Sequence, residues 1–386
     1  MRIAVLGGGP GGLYFAYLWK KRHPAAQVDL FEQNAADATW GFGVVFSEQA
    51  LEFLRADDPE TVDAIAPGME TWKNITLNLR GETIDIDGIG FSSIGRLELL
   101  KILQERVRSA GIVPCYATQI HSMDQLAGYD LVVAADGLNS LVRRSFEGDF
   151  GTSISYSSNK FAWFGTSKRF DTLSQTFIET ELGAFNAHHY RYSPTMSTFL
   201  IECDRSTWQR YGFADKTSEQ SKAICEGVFA RALDGHPLVS NKSVWRNFPW
   251  IWNEHWSFRN LVLIGDALHS AHFSIGSGTR LAIEDGIALV KALEAEGDDV
   301  RSGLARYQAE REPVVKKLVD AARTSAGWYE NFAAHMKLPL MDFAYSYITR
   351  SGRIDDARLR AMSPAFMASY ESSRPAGSSL RAGNGR

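Results

Sequence analysis

Cysteine is scarce in this chain of 386 residues: Cys115, Cys203 and Cys225 are the full complement. They form no C-x-x-C pair and are too few for a disulfide framework, so a reducing cytoplasm is the expected setting. No apolar run approaches the roughly 18 residues of a membrane span. The first strand-like run begins at Arg2, so no signal peptide is expected either. Charge is nearly balanced, at −4 net, which gives no hint of nucleic acid. There is no internal repeat, no G-x-S-x-G to support a serine hydrolase, and no second G-x-G-x-x-G. His269 and His272 form H-x-x-H, but no carboxylate or cysteine cluster completes a ligand set, so no metal is expected.

What is present begins with RIAVLGGGPGGLYFAYLWKKRHPAAQVDLFE, residues 2–32. Arg2 to Leu6 reads as a short buried strand, and the helical pattern after it carries Lys20, Lys21 and Arg22 in its last turn. Between them Gly7, Gly9 and Gly12 supply G-x-G-x-x-G, and a second strand, Val28 to Phe31, ends at Glu32. Each residue has a physical task. Gly7 makes the tight turn, Gly9 lets backbone approach a pyrophosphate, and Gly12 lets helix and strand pack closely. The helix N-terminus faces the phosphates, and an acid at 32 can hold both ribose hydroxyls. An acid there favours FAD or NAD over NADP.

Further on, Ile75 to Leu79 and Ile84 to Ile86 alternate about Gly81 as a hairpin, followed by an amphipathic helix from Arg96 to Ser109. Ile112 to Tyr116 and Asp130 to Ala135 read as strands, and Ser47 as the N-cap of a helix reaching Leu54. From Gly151 to Trp256 the alternation of strand and helix stops. Aromatic-rich strands replace it at 160–166, 175–181, 184–192 and 196–202, with one helix at about 218–233. Asn260 to Ile264 returns to a buried strand, followed by helices at about 279–294 and 300–326 and a helical remainder. The expected fold is α/β: a Rossmann-like FAD-binding domain with an inserted antiparallel-sheet substrate domain and C-terminal helices. Residues 1–70, 96–150 and 257–330 would form the first, 71–95 and 151–256 the second, and 331–371 the helices, with 372–386 a disordered tail.

Three patches carry the chemistry: GGGPGG at 7–12, YDLVVAADGLNSLVR at 129–143 and NLVLIGDALHSAHFSIGSGTRLAIEDGIALV at 260–290. Each is a buried strand ending in Gly or Asp, so all three loops can meet one extended ligand at the carboxyl edge of a parallel sheet. Asp266 would accept from ribityl hydroxyls. The helix near Thr279, after the flexible Gly276 and Gly278, would offer its N-terminus to a flavin ring.

With that trio the chain resembles the single-component FAD-dependent aromatic hydroxylases, the group of p-hydroxybenzoate hydroxylase, over about residues 1–330. The resemblance implies that Arg96 binds FAD, that Asp136 and Gly137 form the DG motif serving FAD and transient NAD(P)H, and that Gly265 and Asp266 form the GD motif. The family's usual proline after GD is absent; HFSIGSG stands there, with Ser274. That string, with KFAWFGTSKRFD at 160–171 and YSPTMSTFLIEC at 192–203, is similar to a subgroup of salicylyl-CoA 5-hydroxylases, the 2-aminobenzoyl-CoA monooxygenase/reductase and a tryptophan-derivative hydroxylase. The activity implied is hydroxylation of an aromatic ring with NADH or NADPH and oxygen through a flavin C4a-hydroperoxide, on an aryl-CoA thioester such as salicylyl-CoA. A free aromatic acid or an indole derivative is the alternative substrate. A flavin reductase or dehydrogenase without oxygen activation, or a non-catalytic FAD-binding protein, is the alternative class. A monomer or homodimer is expected.

His188, His189 and Tyr190 are the catalytic candidates. On a strand the two histidines point to opposite faces, so one of them could line a substrate cavity. Trp163, Tyr190 and Phe199 are candidates for an aromatic wall. Lys160, Lys168, Arg169 and Arg191 are candidates for CoA phosphates.

Overall fold

The computed structural model describes residues 1–47, 51–297 and 299–374. Three sheets organise them. The first has the order Ser257–Phe258, Leu261–Leu263, Leu131–Ala134, Arg2–Leu6, Gln27–Phe31, and all but the Ser257–Phe258 edge run parallel. Its central strands are apolar at nearly every position because helices cover both faces: Ile3, Val5, Leu131 and Val133 are all fully buried. The helices Pro10–Arg22, Arg96–Ser109 and Gly278–Ala295 share this core with the first part of Val300–Glu330.

The second sheet runs Leu238–Ser240, Thr152–Thr166, Ser197–Cys203, Gly183–Arg191, Leu173–Thr180, Ile75–Leu79, Glu82–Ile86. The strand Thr152–Thr166 is long enough to pair twice, with Arg246–Asn253 along its first half and with Ser197–Cys203 along its second. It thereby joins the two main layers. A small third sheet, Gly43–Ser47, Phe91–Gly95, Glu70–Trp72, sits at the junction. One face of the second sheet packs Phe185, Phe199 and Ile201 against Phe213, Cys225 and Phe229. The other packs Leu77 and Phe177 against Tyr329, Phe332 and Phe343 from the end of the long helix and the C-terminal helices.

Most elements follow the sequence pattern, and the departures have local causes. Ile112 to Tyr116 makes only an isolated bridge, Phe31 to Cys115, because Pro114 brings no N–H to a ladder. The second sheet is not purely antiparallel: Ile75–Leu79 and Leu173–Thr180 run side by side in parallel. The helix at 218–233 breaks into Ser218–Val228 and Ala230–Leu233, and the break turns Phe229 into the buried aromatic cluster. Arg246–Asn253 is a strand, bulged at Pro249, where Trp250 and Trp252 had no assigned element. The helix expected from Ser47 is described only as Glu52–Arg55; residues 48–50 lie outside the described residues, as does the expected tail from 375 onward. Among the described residues no helix is long and apolar enough to cross a membrane.

The turn after the hairpin also anchors the last described helix, Pro364–Ser372. The Asp87 carboxylate accepts from the backbone N–H groups of Ala365 (3.2 Å) and Phe366 (2.9 Å), and Ser363 Oγ donates to the Asp87 carbonyl. Asp87 thus caps the helix Pro364–Ser372 from the turn that follows the strand Glu82–Ile86. Asp87→Ala should cost about 1 to 2 kcal/mol, the value of a lost N-cap, read as a lower urea midpoint at unchanged slope.

Candidate active site

The three motif loops meet at the carboxyl edge of the parallel sheet, and small atoms make the meeting possible. Gly7 has φ +101°, and a Cβ there would lie 2.3 Å from the Ala135 carbonyl oxygen. A Cβ on Gly12 would lie 2.1 Å from the Gly7 carbonyl oxygen. The first helix therefore starts directly against the first strand and the DG loop. Gly9 differs: a Cβ there meets no atom within 4 Å, so the helix N-terminus opens onto the cleft. No acidic side chain occupies the first turn of that helix, and the same holds for Gly278–Ala295. Both N-termini are free to attract negative charge.

Polar side chains gather around this edge. Glu32 turns toward the glycine loop: Oε2 accepts from Gly8 N–H (2.7 Å) and Oε1 from Asn34 N–H (2.8 Å). Asp136 Oδ2 accepts from Leu141 N–H (2.7 Å), whereas Oδ1 is buried without a partner, and burial raises its carboxyl pKa. Gly137, at φ +73°, has open space beside it. Arg96 starts its helix with N–H donating to the Phe42 carbonyl (2.7 Å), and its buried Nε lacks a partner. Burial lowers the Arg96 pKa, and the nearby Asp266 carboxylate opposes the shift. Asp266 presents an exposed carboxylate to the cleft, yet the surrounding protein raises its pKa by desolvation against the pull of Arg96. Gly276 (φ +60°) lies against Val45, and Gly278 and Thr279 open the helix that follows.

Two residues that the motifs did not single out hold these loops. Arg143 is almost fully buried, and its guanidinium donates to the carbonyls of Leu138, in the DG loop, and Ala267, in the GD loop. Asp285 is fully buried on Gly278–Ala295. It accepts from Gly265 N–H (3.0 Å) and Arg311 Nε (2.9 Å) and meets His269 Nε2 at 2.9 Å. Burial would raise its pKa, but His269 and Arg311 outweigh it and hold the carboxyl low. For Asp285 the available signal is a charge flanked on its helix face by Leu281, Ala282, Ala288 and Leu289; Arg143, beside Arg144 in a short polar helix, carries no such signal.

Strand alternation sorts the catalytic candidates. His188 and Tyr190 face the motif loops; His189 faces the opposite core, stacked on Phe199 and beside Phe170, with Thr176 Oγ1 at 2.8 Å. Phe199 lies on that far face too, so it cannot share a wall with Trp163 and Tyr190. The Tyr190 hydroxyl donates to the Gly43 carbonyl (2.9 Å) and pins the start of the strand Gly43–Ser47. His188 Nδ1 meets Gln175 at 2.9 Å, while Nε2 lies 3.6 Å from Glu202, too far for a hydrogen bond. Burial lowers both histidines to about 3. His272 packs beside Phe273 and is lowered to about 4, again by burial. The basic candidates are largely engaged. Lys160 lies over Trp208, Lys168 pairs with Asp234 (2.7 Å), and Arg191 bonds Glu70 and three backbone carbonyls. Arg169 is exposed and unpaired among the described residues.

Two outcomes follow. Gly9→Val should fold but lose FAD, because its side chain enters the open side of the turn without touching protein; a colourless, folded variant by absorbance and circular dichroism is the expected result. The buried histidines should make the fold acid-sensitive. Unfolded histidine takes up a proton below about pH 6.5, whereas these do so only near 3 to 4 in the fold. Their contribution is complete above about 6.5 and is lost as pH falls through that window. His189→Phe should flatten the fall of Tm between about pH 6.5 and 4.

Comparison with known proteins agrees with this geometry. A family model described as an FAD binding domain matches residues 127–322. The chain is 38% identical to a salicyloyl-CoA 5-hydroxylase from a Streptomyces species, over 91% of this chain and 70% of that one. It is 34% identical to a 3-hydroxy-4-methyl-anthranilyl-[aryl-carrier protein] 5-monooxygenase of Streptosporangium sibiricum, over 92% and 95%. The structure of Pseudomonas aeruginosa PqsL in complex with 2-aminobenzoylacetate shares the fold, with a TM-score of 0.69 at 20% identity, covering 86% of this chain and 97% of that one. Near full-length likeness to two aromatic monooxygenases, on an FAD-binding fold, means that the chain belongs to the FAD-dependent aromatic hydroxylases and is a flavin-dependent aromatic monooxygenase.

Proposed function

We propose that the substrate is an aryl thioester, an ortho-substituted benzoyl-CoA such as salicylyl-CoA, and that the reductant is NADH or NADPH. The observation that carries this reading is the 38% identity to a salicyloyl-CoA 5-hydroxylase across 91% of the chain. The aryl-carrier-protein relative supports it, since its name too denotes a benzoyl group with an ortho heteroatom on a carrier. The nicotinamide has no dinucleotide-binding unit of its own in this reading, because the chain has a single G-x-G-x-x-G. Three unpaired cysteines, with Cys115 exposed, favour a reducing cytoplasm.

The residues present fit FAD: the turn at Gly9 is open on one side, and Arg96 Nε and Asp136 Oδ1 are buried polar atoms awaiting partners. We assign the pyrophosphate to Gly7, Gly9 and Gly12 at the first helix N-terminus. Glu32 takes the adenosine ribose through Oε2, which keeps a lone pair beyond the one used by Gly8 N–H, while Oε1 accepts from both Asn34 N–H and Asn34 Nδ2. Arg96, Asp136, Gly137, Gly265 and Asp266 line the middle of the cofactor. Gly276, Gly278 and Thr279 present a helix N-terminus to its ring. Bound FAD supplies electron transfer from the nicotinamide and activation of oxygen for transfer to the ring.

The chain supplies position and dryness. Phe161 and Phe273 pack at 5.0 Å between the second sheet and the loop before Gly278–Ala295, presenting apolar surface to a flat substrate and excluding water. Tyr190 holds the start of the strand Gly43–Ser47 against the second sheet. The exposed Arg169 is the cation left free for CoA phosphates at the mouth.

The test compares salicylyl-CoA, 2-aminobenzoyl-CoA, the same acids on a carrier protein, salicylate and tryptophan derivatives. It follows NADH or NADPH oxidation and hydroxylated product together. A CoA thioester should give coupled product. Product from a free acid, an indole or a carrier-bound acyl group alone would overturn the CoA assignment.

A further inference from the structure

Between the second sheet and the C-terminal helices lies a cluster of polar side chains around the half-buried Arg350, which follows the helix Leu340–Thr349. Its guanidinium is held on two sides: Nη1 donates to the Tyr347 carbonyl (2.6 Å) and Nη2 to the Ser274 carbonyl (2.9 Å). It lies 4.0 Å over the Tyr347 ring and 5.5 Å from that of Tyr329. Nε is buried without an acceptor, and among the described residues no carboxylate lies within ion-pair distance of it. Ser274 Oγ is buried and unpartnered beside it.

The groups facing this cation from each neighbouring element are neutral or pushed toward neutrality. Burial lowers His188, on Gly183–Arg191, to about 3 and His272, in the loop, to about 4, and Arg350 depresses both further. Burial raises Tyr329, on the long helix, well above its usual value. It also raises the Glu202 carboxyl on Ser197–Cys203, one oxygen of which accepts from Asn159 (2.8 Å) while the other has no partner. The cluster thus holds one permanent positive charge with no carboxylate in ion-pair contact among the described residues. Protein interiors rarely leave a guanidinium uncompensated, since its desolvation is repaid only by an anion in good geometry. The compensating charge has a natural source in the substrate, because Ser274 belongs to the loop that leads into Gly278–Ala295 and the reaction centre.

We propose that Arg350 is the specificity-determining residue of the substrate pocket, its guanidinium pairing with the ionised ortho hydroxyl of the aromatic ring. This rests on the reading above, that the substrate is an ortho-substituted aryl thioester, and takes the ortho group to be a hydroxyl. A fixed cation favours the charged form of a hydroxyl beside it, and the carbonyls of Ser274 and Tyr347 fix its direction. A ring lacking the hydroxyl forfeits that contact and leaves the cation unpaired.

The experiment uses the FAD-loaded enzyme and the variants R350Q and R350K, with 2-hydroxybenzoyl-CoA and benzoyl-CoA as ligands in the absence of reductant. Difference spectra give affinities and the titration of the bound ring hydroxyl. In the wild type the bound hydroxyl should ionise about one pH unit or more below its free value, and R350K should keep most of that shift. R350Q should abolish it and weaken 2-hydroxybenzoyl-CoA about tenfold, the equivalent of one unit, with benzoyl-CoA little changed. An unshifted wild-type hydroxyl, an unchanged titration in R350Q, or equal weakening of both ligands would overturn the assignment; the last would indicate a purely structural arginine. If neither thioester binds, the thioester reading fails, and 2-hydroxybenzamide and benzamide replace the pair. The same loss of shift in R350Q would then support Arg350, while its persistence, or no binding of the hydroxyl ligand, would overturn it.

Discussion

A single buried carboxylate ties the cofactor edge to the rest of the molecule. Asp285 accepts from Gly265 N–H at the turn of the GD loop and from Arg311 on the long helix, and it meets His269 three residues after Asp266. One group therefore sets the loop, the helix Gly278–Ala295 and the helix Val300–Glu330 relative to one another. Burying three ionisable side chains costs desolvation, and removing one partner from such a cluster typically costs about 3 to 5 kcal/mol. A local change there would move Asp266 and the helix N-terminus together. Arg143 does the complementary work, joining the DG and GD loops by their carbonyls. The cleft is thus positioned by charges that do not face it.

The second sheet divides its work by the two-residue period of a strand. On Gly183–Arg191, Phe185, Ala187 and His189 enter an aromatic core. His188 and Tyr190 turn to the face shared with the motif loops and C-terminal helices. Neutral histidine serves each side differently. His189 fills space between Phe170 and Phe199 and satisfies Thr176. His188 leaves one ring nitrogen without a partner in the polar chamber. A shift of one residue in register would exchange these roles and bury Phe185 and Ala187 against Tyr329.

The parallel sheet and its loops were legible because each rests on local rules. A buried strand, a glycine turn and a helix start occupy consecutive residues, and the helix Arg96–Ser109 starts and stops where the pattern places it. Legibility failed where contacts distant in sequence decide. Ile112, Val113 and Tyr116 give 112–116 the apolar look of a strand, but Pro114 cannot donate to a ladder and only an isolated bridge forms. The parallel pairing of Ile75–Leu79 with Leu173–Thr180 joins segments nearly a hundred residues apart and leaves no local trace. In the site, glycines and acids in motifs could be named from spacing. Arg350 sat in a stretch readable only as helical, and its role depends on Ser274, 76 residues earlier. Lys168 and Arg191 looked free in sequence because their partners Asp234 and Glu70 are remote.

The two halves of the cleft differ in electrostatic character, and the difference suits the chemistry. Near the dinucleotide fingerprint, helix N-termini without acidic side chains favour negative charge, and Glu32 and Asp266 add carboxylate oxygens. Toward the second sheet the walls are aromatic, with Phe161, Phe273 and Trp163, and the polar groups behind them are held toward neutrality by burial. Neutral walls leave an oxygen-transfer step free of side chains that would donate protons indiscriminately, and they keep out the water that would divert it. Against such walls one guanidinium exerts more influence than it would in water, because the surroundings are less polarisable and no carboxylate among the described residues pairs with it. The scarcity of charge around Arg350 is therefore what allows a single residue to orient a ring.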